Sequence, residues 1–250
     1  MPQPIPGAPA EIATAIDRLT NALTQAAGPN LAGLILYGGL ARGRFRAGHS
    51  DVNVVVLLRD ASFTALGAIA PALQAARRSA GVEPMILTPR EVSEAADVFP
   101  TKFLDIKRYH VVLTGEDPFA TLEVPHEHVR LRIEQELRNM LLRLRRLGID
   151  AATDVQLRAR ALIRIARPLA IELNALLQLS GKPAPAEDRT SVIFEAAAAA
   201  FDLNAVALAS LAELRRQPRP ANVVAGLFGD VLNVIAQAAD VADRMKDPSQ

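Results

Sequence analysis

Leu34-Ile35-Leu36-Tyr37-Gly38-Gly39 runs into Leu40-Ala41-Arg42, and twelve residues past Gly39 comes Asp51-Val52-Asn53 ahead of Val54-Val55-Val56-Leu57-Leu58. An apolar run that stops at two glycines reads as a strand ending in a tight turn, and the valine run reads as a second strand. Gly38 and Gly39 let backbone N–H groups come close to a ligand. If Leu40-Ala41-Arg42 starts a helix, its partial positive charge suits a phosphate. Alternation along the second strand puts Asp51 and Asn53 on one face and Val52 on the other. Two adjacent oxygen ligands at a strand start are a seat for a hard cation such as Mg2+. Between them lie Arg42, Arg44 and Arg46. Of these, Arg42 is the one expected to reach phosphate. Ser50 can bond a phosphate or shape the turn. A plain hairpin turn through Gly48-His49-Ser50 would explain the glycines but not the paired polar residues.

Outward from this stretch, β-rich and helical patterns alternate up to about residue 120. Helices are expected over Glu11 to Ala26 and Ser62 to Ala80, with strands over Ala32 to Tyr37, Val52 to Leu58, Val82 to Leu87 and within Phe103 to Leu113. That alternation argues for an α+β layer, a small mixed sheet with flanking helices. From Glu127 onward the period is helical. Val129, Ile133, Leu137, Met140, Leu141 and Leu144 form one apolar stripe, and Leu162, Ile165, Leu169, Leu173 and Leu176 another, with Pro168 expected to kink or break it. Two more helices are expected over Val192 to Leu214 and Val223 to Met245. The predicted organisation is therefore two domains, 1–120 and 121–250, the second an all-α four-helix bundle.

Composition bounds the chemistry. The 250 residues are 50% hydrophobic and 22% charged, with a formal net charge of +1, an ordinary globular balance that gives no cause to expect a polyanion or a membrane. The absence of cysteine removes thiolate metal sites, disulfides and cysteine nucleophiles. No segment reads as a leader or reaches the roughly 18 apolar residues of a membrane span, so a cytoplasmic location is expected. His49 and His110 show no acid partner arrangement, so no triad is assigned, and His126 and His128 lack a third metal ligand in sequence.

Strand, glycine pair, a dozen residues and Asp-x-Asp on a strand make up a signature that the segment resembles closely. It is that of the nucleotidyltransferase superfamily, including the aminoglycoside adenylyltransferases and the minimal nucleotidyltransferases. The resemblance covers roughly residues 11 to 115. Gly38 and Gly39 match the glycine turn, where serine is commoner at the second position. Asp51 matches the first carboxylate, and Asn53 stands where the second belongs. A third carboxylate is implied by the resemblance: Glu83, in Val82-Glu83-Pro84-Met85-Ile86-Leu87, or Asp105, in Phe103-Leu104-Asp105-Ile106, with Glu83 preferred because its strand follows directly on the crossover helix.

The function implied is Mg2+-dependent transfer of a nucleoside monophosphate from ATP or another nucleoside triphosphate to a hydroxyl or phosphate acceptor. Gly38, Gly39, Arg42 and Ser50 would hold the nucleotide, Asp51 and Asn53 the metal, and Asp51 with Glu83 or Asp105 the chemistry. The alternative is a catalytically degenerate nucleotide-binding or interaction module, because an asparagine ligates without supplying charge or a base. Between Val129 and Arg167 there are ten arginines against four acids, Glu134, Glu136, Asp150 and Asp154. Charge complementarity then disfavours a polycationic acceptor and favours a neutral or anionic small molecule. An aromatic content of 4% offers few stacking platforms, against a nucleic-acid partner. Acceptor identity, base preference and homo-oligomer formation stay open.

Overall fold

A computed structural model describes residues 5, 7–46, 50–185, 187, 189–214, 216–217 and 219–245. The chain divides into two compact units, Met1–Val124 and Pro125–Gln250.

The first unit begins with α1 (Ala10–Ala27), whose Ile12, Ile16, Leu19 and Leu23 fall on one buried stripe. Strands β1 (Leu31–Tyr37) and β2 (Val52–Leu58) follow and pair antiparallel. Helix α2 (Phe63–Ala80) is capped at Ser62 and stopped by Gly81 in the left-handed region. It crosses back to β3 (Val82–Leu87), which pairs parallel with β2. Helices α3 (Pro89–Val98) and α4 (Pro100–Arg108) precede β4 (His110–Gly115), antiparallel to β1 on its other side. The mixed sheet has the order β3-β2-β1-β4.

Alternation along the strands feeds two cores. Leu34, Leu36, Val52, Val54, Val56 and Leu58 pack with α1 and α2, while Ile35, Val55 and Leu57 pack with Val92 and Ala96 of α3 and Phe103 and Ile106 of α4. A sheet covered by helices on both faces accounts for the near-continuous valine run of β2, apolar on both sides.

Two expectations change here. The Phe103-Leu104-Asp105-Ile106 segment is helical, because Pro100 starts a helix at its first turn and Phe103 and Ile106, three apart, bury together against the sheet. Leu40-Ala41-Arg42 starts no helix. Residues 38–43 form one turn, closed by bonds from Arg42 N to Gly38 O, Gly43 N to Leu40 O and Arg44 N to Gly39 O. Buried Leu40 pins the turn to the core, and Gly43, at φ +67°, ends it.

The second unit contains α5 (His126–Asp150), α6 (Val155–Leu179), α7 (Thr190–Phe201), α8 (Ala205–Glu213) and α9 (Ala221–Arg244). The single helix expected over Val192 to Leu214 is two helices: Asp202 adopts φ +54° and the Asn204 side chain caps α8 by accepting from Ala207 N. The four-helix expectation therefore becomes five among the described residues. Helix α6 passes through Pro168 without breaking. Helix α9 is long and apolar enough to cross a membrane, with a mean hydropathy of 1.3. Its stripe of Val224, Leu227, Val231, Val234, Ile235, Ala238 and Ala242 is buried in the bundle.

Candidate functional site

Register assembles one row of side chains across the sheet. Glu83 of β3 pairs with Asn53 of β2, Asn53 with Tyr37 of β1, and Tyr37 with His110 of β4. Directly paired residues point to the same face, here the one that α3 and α4 cover lower down, where Tyr37 joins the apolar cluster. The row lies at the end of β1 that leads into the Gly38 turn. Asp51, exposed and one residue before β2, shares the alternation of Asn53.

Gly38 is held at φ +76°, and a Cβ there would lie 3.1 Å from Asn53 Nδ2. Only glycine combines that backbone conformation with so close an approach. The turn's closing bonds use the amides of Arg42, Gly43 and Arg44, so those of Gly39, Leu40 and Ala41 are not consumed in closing it. Amides left unused at a glycine turn are candidate donors to an anion. Ser50 Oγ accepts from Arg46 N at 3.1 Å, and Ser50 N donates to Arg46 O at 2.9 Å. The hydroxyl shapes the loop and retains its own proton to donate. Residues 47–49, which include His49, lie outside the described residues.

Arg42 and Asp105 meet in an ion pair, and the Arg42 guanidinium lies 4.8 Å from the centroid of the Tyr109 ring. Helix α4 therefore places Asp105 on the arginine of the glycine turn. Arg42 Nε is buried without a hydrogen-bond partner. Glu83 is about half exposed and pairs with Arg77 of α2 at 2.6 Å. Among the described residues there is no group of three or more His, Asp or Glu side chains arranged to hold a metal. Asp51, Asn53 and Glu83 provide two carboxylates and an amide.

Two contacts of this row were not legible in the sequence. His110 does have an acid neighbour: its Nε2 lies 3.2 Å from Asp117 Oδ2, and its Nδ1 lies 2.9 Å from Ile106 O. The partner comes from the turn after β4, a proximity that spacing does not reveal. Lys102 Nζ lies 5.9 Å from the centroid of Tyr37, and burial raises the Tyr37 pKa. His126 and His128 open α5, in the second unit, and join no metal cluster among the described residues.

No family model and no curated protein sequence matches the chain. Among solved structures it is similar to a spectinomycin adenyltransferase from Enterococcus faecialis, determined with ATP and spectinomycin. That likeness covers 93% of this chain and 99% of the other, at 15% identity and a TM-score of 0.50. A likeness of that breadth at so low an identity speaks to backbone architecture. The fold of this chain, a small mixed sheet with flanking helices followed by a helical unit, is nucleotidyltransferase-like.

Proposed function

We propose that the chain binds a nucleoside triphosphate at the Gly38 turn and transfers its nucleoside monophosphate to a small acceptor. The observation that carries this reading is the antiparallel pairing of Tyr37 with Asn53. It brings the amide-rich turn that follows β1 beside the oxygen ligands at the start of β2.

The amides of Gly39, Leu40 and Ala41 and the Ser50 hydroxyl would hold phosphate oxygens. Asp51 and Asn53, with Glu83 beside them in register, offer oxygens that suit one divalent cation shared with the nucleotide's phosphates. Mg2+, when bound there, would neutralise phosphate charge and orient the triphosphate. An acceptor oxygen forms a bond to the α-phosphorus as the bond to pyrophosphate breaks. The acceptor's proton passes to a carboxylate, for which Glu83 is favoured over Asp105 because Glu83 lies in register beside Asn53, whereas Asp105 lies on α4. Arg42, fixed by Asp105 and Tyr109, presents a preoriented positive charge at the turn.

Asn53 supports a second reading, a nucleotide-binding module without turnover. Calorimetric titration of the full chain with ATP and Mg2+ separates the readings when combined with a pyrophosphate-release assay. Wild type is expected to bind, Asp51→Ala to bind at least tenfold more weakly, and release to require an acceptor. Binding without release across neutral and anionic acceptors would leave the module; no binding by wild type would end both.

A further inference from the structure

The arginine excess of the helical unit divides in two. In the first half of α5, Arg130, Arg132 and Arg138 are taken up by Glu127, Glu134 and Glu136, at 2.5–3.0 Å. The second half of α5 and the facing part of α6 carry arginines of a different kind. Arg143, Arg160 and Arg164 surround a groove of about 370 Å³ between these helices, floored by Met140, Leu144, Leu147, Leu157, Ala161 and Ile165. None of the three makes an ion pair among the described residues. Arg143 Nε and Arg160 Nε reach back only to carbonyls of their own helices, Asn139 O and Gln156 O, at 3.4 and 3.3 Å. No carboxylate lines the groove.

Arg160 and Arg164 are four residues apart on one helix face, an arrangement of like charges that opposes helix stability by a few tenths of a kcal/mol. Pro168, at the end of the groove, supplies no amide to the Arg164 carbonyl, and so interrupts the helical ladder there. Ordinary helix packing does not require three uncompensated guanidinium groups around an apolar floor. An occupant with an apolar body and an anionic head does, and the volume is that of a small-molecule site.

We infer that this groove binds an amphiphilic small-molecule anion, its hydrocarbon part on the Leu144, Leu147 and Ala161 floor and its carboxylate or phosphate head held by Arg143, Arg160 and Arg164. All of its lining residues belong to the helical unit.

The test is calorimetric titration of the full chain, at submicellar concentrations, with decanoate, decyl phosphate and decyltrimethylammonium. Both anions are expected to bind one to one and to weaken as salt is raised, the cation not at all, and the tighter of the two anions identifies the head group. Arg160→Ala and Arg164→Ala, both exposed positions, should each weaken anion binding about three- to tenfold. Arg160→Glu should abolish it. Asp51→Ala should leave decanoate affinity unchanged while weakening ATP binding at least tenfold, so failure at one site is distinguishable from failure at the other. Equal affinity for the anions and the cation would overturn the assignment. So would unchanged anion affinity in the Arg160→Ala/Arg164→Ala double variant, or no binding of either anion at millimolar concentration.

Discussion

Gly38 and Asn53 form the tightest constraint on the proposed nucleotide site. A methyl group at Gly38 would meet both an unfavourable φ of +76° and the Asn53 amide at 3.1 Å. Gly38→Ala is therefore expected to destabilise the chain by about 1–3 kcal/mol and to displace Asn53. At Gly39 the nearest atom to an added Cβ is Arg44 O, 3.9 Å away, and φ is not positive. Gly39→Ala should cost less than half as much in the same urea titration. At Asn53 itself the neighbour in register is Glu83, and like charges directly opposite each other oppose pairing by about 0.2–1 kcal/mol. Asn53→Asp should thus lower the melting temperature slightly without metal. It should also make that temperature rise with Mg2+ more steeply than in wild type, because a third carboxylate then joins Asp51 and Glu83 around one cation. An unchanged Mg2+ response would mean that residue 53 does not face the cation.

At the scale of elements, the break between α7 and α8 rests on one side chain. Asn204 caps α8 by accepting from Ala207 N at 3.0 Å, and Asn204→Ala is expected to cost about 1 kcal/mol in thermal or chemical unfolding. Arg130 has a larger share: it is 9% exposed, pairs with Glu127 and Glu134 of its own helix, and donates to Ala242 O of α9 at 3.3 Å. Arg130→Met should cost about 2–4 kcal/mol, because Glu134 is left partly buried with Arg138 alone. These two sites show where sequence reading succeeds and where it stops. Strands β2 and β3 were legible to the residue because a both-sides-buried valine run and a Gly81 stop leave little freedom. Asp202-Leu203-Asn204 was read through as helix because the alanine-rich flanks have strong helix propensity, and a left-handed aspartate is visible only in the backbone. Phe103 and Asp105 misled in the opposite direction, since two apolar residues flanking an acid satisfy both periods over so short a window. The glycine turn and Asp51-x-Asn53 were legible as a motif. The Arg42–Asp105 pair and the Glu83–Asn53–Tyr37–His110 row needed the register.

For the whole molecule, one partly buried acid sets an expected pH dependence that belongs to the helical unit. Glu172 of α6 has its pKa pushed up to about 7, first by burial and then by the charge of Glu136, against which Arg132 acts in the lowering direction. Arg132 and Glu136 are themselves paired at 2.5 Å on α5, so their opposing effects on Glu172 largely offset and burial dominates. In the unfolded chain the same carboxyl titrates near 4.3. Between these values the folded state keeps a proton that the unfolded state has released, so raising the pH favours unfolding. The contribution is fully present below about pH 4 and is lost as pH rises through 7, a difference on the order of 3–4 kcal/mol. Urea unfolding followed by far-UV circular dichroism, which the helical unit dominates, should therefore show stability falling from pH 5 to pH 7.5. Glu172→Gln should flatten that slope and leave the chain more stable than wild type at pH 7.5, since the amide carries the neutral form's shape without its titration. A Glu172→Gln variant with the wild-type slope would place the dependence elsewhere.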